Sequence, residues 1–214
     1  MKKLFLFLIL TVTIISFSFN FGAGGSKIVY IPGVQIISPF TDTNFKIDDG
    51  VLCFGGEGHG GIFNDFYIGG DGFTGKKDFT VSGTSLTFSF EYGTFDIGRN
   101  LINIFDTIVL DAGFGIGTYS IRISRNLLGG DTINDFLTGH SSGVSSMKID
   151  YYIASPYTSL YLHFTDFFAL NVKARYIFGY TENGWIYSNG NKVDVDESNY
   201  LNTYNLGVSL LFGY

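Results

Sequence analysis

Three histidines, His59, His140 and His163, are the natural candidates for acid–base chemistry in this chain of 214 residues, because imidazole exchanges protons near neutral pH. A serine hydrolase site needs a Ser beside a His that a third polar group orients. His163 shares a strand face with Ser159, but four residues along a strand is roughly 13 Å, too far for proton transfer. His140 lies among Ser141, Ser142, Ser145 and Ser146, the composition of a solvated loop. No His pair has the i, i+4 spacing of a helical zinc site, and the single cysteine, Cys53, offers neither a thiolate cluster nor an internal disulfide. The run Gly55-Gly56-Glu57-Gly58-His59-Gly60-Gly61 lacks the Lys-Ser/Thr pair of a phosphate loop and opens no evident helix. The expectation is a protein that is not an enzyme, with no cofactor and no metal.

The charges that remain interesting are those on strand faces. Strand side chains alternate between faces, so apolar and polar residues sort by parity. Residues 84–93 set Leu86, Phe88, Phe90 and Tyr92 against Thr87, Ser89 and Glu91; 107–117 set Ile108, Leu110, Ala112, Phe114 and Ile116 against Asp111 and three glycines. Residues 147–153 set Met147, Ile149, Tyr151 and Ile153 against Lys148 and Asp150; 158–164 set Leu160, Leu162 and Phe164 against Ser159, Tyr161 and His163. Residues 167–180 place Phe168, Leu170, Val172, Tyr176 and Phe178 opposite Asn171, Lys173 and Arg175. In residues 199–214, Tyr200, Tyr204, Leu206, Val208, Leu210, Phe212 and Tyr214 share one face. With weaker, glycine-rich strands at 51–60 and 62–72 the count is eight, with ten the other number the spacing allows. Thr165-Asp166 and Ser155-Pro156-Tyr157-Thr158 read as turns and 181–198 as a long loop, but this leaves 124–143 as an oddly long connection at the short-turn end.

Which face meets what depends on the start of the chain. Lys2 and Lys3 precede the apolar run Leu4–Leu10, followed by Ser16 and Ser18, the pattern of a cleaved signal peptide over 1–18. An exported chain without membrane helices can enter a bilayer only as a closed barrel, because lipid cannot satisfy an open sheet edge. The composition agrees: 29 glycines, three prolines, 18% aromatic residues and a mean hydropathy of +0.23. Without 1–18, the formal charge is 11 − 19 = −8, which argues against nucleic acid. The expected fold is therefore all-β: a closed, antiparallel up-and-down β-barrel over 51–214, with 19–50 an extra strand, plug or tether. Apolar faces would meet outer-membrane lipid and Tyr180, Trp185 and Tyr187 would join an interfacial girdle. Glu91, Asp111, Lys148, Asp150, Lys173 and Arg175 would pair inside, since an unpaired buried charge is costly.

The ending at an aromatic residue resembles the C-terminal strand of small outer-membrane β-barrels of double-membraned bacteria. The resemblance implies an outer-membrane location and recognition of Val208, Leu210, Phe212 and Tyr214 by the barrel-assembly machinery. The segment from Phe54 to Gly72 also resembles a motif of uncharacterised, glycine-rich exported bacterial proteins, which brings no activity. The role expected is structural or surface-interactive, through loops such as 181–198. The competing reading is a soluble exported β-sandwich or lipocalin-like binding protein, in which Leu170, Val172 and Phe212 would converge on a dry core.

Overall fold

Period-two alternation organises every long element, and pairing between them closes a ring. The computed structural model describes residues 22–32, 35–37, 44–46, 50–63, 65–81, 84–105, 107–125, 146–192 and 199–213. The expected signal segment 1–18, the stretch 126–145 with His140, and Tyr214 lie outside the described residues. Eight long strands form the wall: β1 (Gly22–Ile31), β4 (Val51–Phe63), β5 (Phe66–Val81), β6 (Thr84–Ile104), β7 (Ile108–Arg125), β8 (Ser146–Thr165), β9 (Phe168–Tyr180) and β11 (Tyr200–Phe212). Between β1 and β4, β2 (Gln35–Ile37) and β3 (Asn44–Lys46) make a small hairpin; β10 (Ile186–Tyr187) pairs with the start of β8. Each wall strand is antiparallel to its neighbour in the order β1-β4-β5-β6-β7-β8-β9-β11, and β11 pairs back onto β1. No open edge is left for lipid to meet.

The short connections β4–β5, β6–β7 and β8–β9, the start of β1 and the end of β11 share one end of the barrel. The connections 32–50, 82–83, 126–145 and 181–199 share the other. Placing 126–145 at this loop end resolves the awkward long connection of the sequence reading, and two corrections explain it. Residues 22–31 take the extra-strand option for 19–50 and join the wall between β11 and β4, so the barrel begins before residue 51. Residues 155–158 are no turn: Ser155, Pro156 and Tyr157 run through the middle of β8, which continues unbroken from Ser146 to Thr165.

The cause of both errors is a change in what the two faces meet along one strand. In β8, Met147, Ile149, Tyr151 and Ile153 are buried while Lys148 and Asp150 are exposed; further on, Leu160 and Phe164 are exposed while Ser159 and Tyr161 are buried. Parity never slips, but the apolar residues move from the inner face to the outer one. The same crossover occurs in β6, from buried Phe88, Phe90 and Tyr92 to exposed Phe95 and Ile97, and in β7, from exposed Phe114 and Ile116 to buried Tyr119, Ile121 and Ile123. Toward the loops the barrel is built like a soluble protein, with an apolar core; toward the turns it is inverted.

The inverted half carries an outward apolar belt. Val172 is 40% and Phe212 47% exposed, with Leu206, Val208 and Leu210 beside them. Between Phe168 and Phe178 the strand runs about 33 Å, or about 25 Å along the axis at a tilt of about 40°, the height of an outer-membrane hydrocarbon band. Aromatic rings mark both margins: Phe164, Phe167, Phe168 and Phe212 toward the turns, Tyr152, Tyr180 and Tyr200 toward the loops. On β1, β4 and β5 part of the outer face is bare, with Gly24, Gly58 and Gly70 abreast and Ser26, Gly56 and Gly72 abreast of one another, below the outward Ile28 and Phe54.

Inward glycines have a different use. A Cβ at Gly113 would collide with the Tyr157 ring, and one at Gly115 with Asp96 Oδ1 and the Arg175 guanidinium. These glycines leave room in a narrow interior for the side chains of facing strands. Gly115→Val should lower the stability of the refolded barrel by about 1–3 kcal/mol through overpacking. Gly93→Ala, where nothing lies within 4 Å of a new Cβ, should change it by less than about 0.5 kcal/mol; urea unfolding in detergent micelles measures both.

Candidate functional site: the layered barrel interior

Three layers fill the interior. At the loop end Val29, Ile31, Cys53, Phe73, Phe88, Phe90, Tyr119, Ile149, Ile177 and Leu201 form one apolar cluster with Trp185, which is only 4% exposed. Trp185 is therefore a cap on the inside, not a member of the girdle; Tyr187 packs against the same cluster, and Tyr180 alone of the three faces outward against Tyr200. Phe73 stacked on Tyr92, with ring centroids 4.4 Å apart, forms the floor of this layer.

Below it lies an ion network. Arg175 makes a forked contact with Asp96, Nη1 to Oδ1 at 3.0 Å and Nη2 to Oδ2 at 2.5 Å, and Nη2 also reaches Asp71 Oδ2 at 3.0 Å. Lys27 donates to Asp71 at 2.5 Å and lies 3.7 Å from Glu57. Lys173 donates to Glu57, whose other oxygen accepts from Asn171 Nδ2 at 2.6 Å. Aromatic faces close the cations in: Arg175 sits 4.5 Å from the Tyr157 centroid and 5.5 Å from that of Tyr92, and Lys173 4.9 Å from Tyr157. Three cations thus balance three carboxylates, with forked and charge-assisted bonds that suit a low-dielectric site.

The expected interior set needs correction in half its members. Lys173, Arg175 and Asp111 face inward. Glu91, Lys148 and Asp150 face outward: they lie in the soluble-like half, where the polar parity is the outer one. Lys148 and Asp150 pair with each other at 2.8 Å, and Ser120 donates to Asp150. Lys27, Glu57, Asp71 and Asp96 take the missing places. Asp96, set between the outward Phe95 and Ile97, carried a legible signal; Lys27 did not, because Ile28 and Val29 are both apolar, one meeting the belt and the other the core.

The third layer is a cavity of about 580 Å³ open at the turn end, whose wall includes His59, Asp111, Tyr161, His163, Asn103 and Asp166. His59 leans on the rings of Tyr67 and Tyr161, and Tyr161 on His163. The Ser159 hydroxyl makes no hydrogen bond among the described residues, so no imidazole holds it as a nucleophile. The glycine run of β4 forms strand, with Glu57 inward, and builds no phosphate loop.

The fold has known counterparts. Neisserial surface protein A superposes with a TM-score of 0.53 over 91% of this chain and 97% of its own, at 11% identity. Ail, the attachment invasion locus protein of Yersinia pestis, gives 0.50 over 90% and 98%, at 13% identity. The architecture is that of the eight-stranded outer-membrane β-barrels. At such identity the likeness is one of fold alone. No protein-family profile and no curated protein sequence matches the chain, so the resemblance to glycine-rich exported proteins gains no support.

Proposed function

We propose that this protein is a barrel of the bacterial outer membrane that holds its loop end in a surface-facing position, with a structural or surface-interactive role and no enzymatic one. The observation that carries the reading is the outward apolar belt with aromatic margins around an interior closed by the ion network and the Trp185-capped core. Such a surface is stable against hydrocarbon and not against water. The soluble reading required Val172 and Phe212 in a central core; both face outward from a closed ring.

In outer-membrane barrels short turns face the periplasm and longer loops the exterior, so the end bearing 32–50, 126–145 and 181–199 is the external one. Above the belt the strands continue as a polar-surfaced turret displaying Glu91, Arg122, Lys148 and Asp150. Outer-membrane lipid is the partner of the belt. Val208, Leu210 and Phe212 present the outward C-terminal row that the assembly machinery would read, with Tyr214 beyond the described residues. The surface placement in the name of the Neisserial counterpart is a property of that protein, and agrees with this reading.

The test is fractionation of a double-membraned bacterium expressing the full chain. The expected result is recovery in detergent-extracted outer membranes, with faster gel migration before boiling than after. Recovery as a soluble periplasmic protein of unchanged mobility would refute the reading.

A further inference from the structure

The ion network leaves one carboxylate over. Lys27, Lys173 and Arg175 are matched by Glu57, Asp71 and Asp96. Asp111 is a fourth acid, only 2% exposed, and among the described residues no lysine or arginine makes an ion pair with it. Its Oδ1 has no hydrogen-bond partner among the described residues. The neutral hydroxyl of Tyr67, itself accepting from Tyr157 at 3.1 Å, is the donor turned toward it. Lys173 acts on it only through space, its direct partner being Glu57, so this buried carboxylate has no ion-pair partner of its own among the described residues.

Asp111 is also part of the wall of the turn-end cavity, and what surrounds it there is specific. No lysine or arginine lines the cavity among the described residues, while a second carboxylate, Asp166, stands on its wall. The rings of His59 and Tyr161, with centroids 5.5 Å apart, form an aromatic side of the same cavity, and ring faces attract cations. Asn103 and Thr107 add neutral polar groups. At about 580 Å³ the space falls within the range of small-molecule pockets. A bare metal ion fits poorly, because no group of three His, Cys, Asp or Glu side chains converges among the described residues.

We infer that the turn-end cavity binds a small organic cation, an alkylammonium group, with Asp111 as its counter-ion and His59 and Tyr161 as its aromatic wall. The ammonium supplies the direct ion-pair partner that Lys173, held by Glu57, does not, and its alkyl part lies against the rings. This site faces away from the loop end and is independent of any surface role.

The test is calorimetric titration of the refolded full-length barrel in zwitterionic micelles with n-butylammonium, using empty micelles as the blank and n-butanol as the neutral control. Saturable binding of n-butylammonium, at least tenfold tighter than that of n-butanol, is expected. Asp111→Asn should weaken it by at least about tenfold, the loss of a charge-assisted contact, while Asp150→Asn, a carboxylate on the outer surface, leaves it unchanged. The Asn variant keeps the size of the side chain, and an unaltered unfolding midpoint establishes that the barrel is intact; should it fail to refold, Tyr161→Leu must weaken binding instead. Equal binding of n-butanol, no saturation up to millimolar concentrations, or undiminished binding by Asp111→Asn would each overturn the inference.

Discussion

Arg175→Met should cost the barrel about 3–5 kcal/mol, the cost of removing one partner of a buried ion pair. Arg175 holds Asp96 through both nitrogens of its fork and touches Asp71 as well. Removing it leaves the three carboxylates of the network facing two ammonium groups. Lys cannot reproduce the fork, so Arg175→Lys should lose a smaller but measurable part, while keeping the charge count. Arg175→Met combined with Asp96→Leu should recover stability relative to Arg175→Met alone, because the orphaned carboxylate goes with its partner. Lys27 then still neutralises Asp71. Reversible urea unfolding of refolded protein in lipid vesicles measures all three. A loss below about 1 kcal/mol for Arg175→Met would mean that the network is hydrated and contributes little.

The second large effect is on the outside. Val172 lies near the middle of the belt, paired with Val208 on one side and Leu160 on the other. Val172→Arg sets a guanidinium in hydrocarbon, at a cost of about 2–4 kcal/mol near the bilayer midplane. Thr118→Arg is the matched control: Thr118 is also outward, but abreast of Tyr152 at the loop-end margin. There the same side chain should cost no more than about 1 kcal/mol. Vesicle unfolding reads the difference between the two sites; equal costs would mean that no hydrocarbon contacts Val172.

How much of this was legible depended on whether one strand face kept one environment along its length. β9 and β11 did: Asn171, Lys173 and Arg175 point into the network while Val172, Tyr176 and Phe178 meet the belt, so alternation alone located both faces. β6, β7 and β8 pass from the turret into the membrane, and their apolar residues change face on the way. A period-two pattern says that two faces differ, not which faces inward, so parity alone sends Glu91, Lys148 and Asp150 to the inside, whereas they face outward. In β1 the alternation vanishes where Val29 and Ile31 meet the apolar core while Ile28 and Tyr30 meet the exterior. The strand was hidden, and Lys27 with it. The eight-strand count survived because splitting β8 offset the missing β1. Parity alone places Asp111 inside, but that no lysine or arginine pairs with it among the described residues emerges only when β1, β4, β5, β6 and β9 are brought together.

Fluorescence quenching by lipids brominated in mid-chain tests the central claim most directly, because the chain has one tryptophan and that residue is enclosed. In vesicles of such lipids the emission of native Trp185 should be nearly unquenched, since it lies in the interior apolar layer. In Trp185→Phe carrying Leu206→Trp, the new indole on the belt should be strongly quenched. Strong quenching of Trp185 together with protection of a tryptophan at 206 would contradict the account, because it would place the Leu206 face inside and the Trp185 side against the acyl chains.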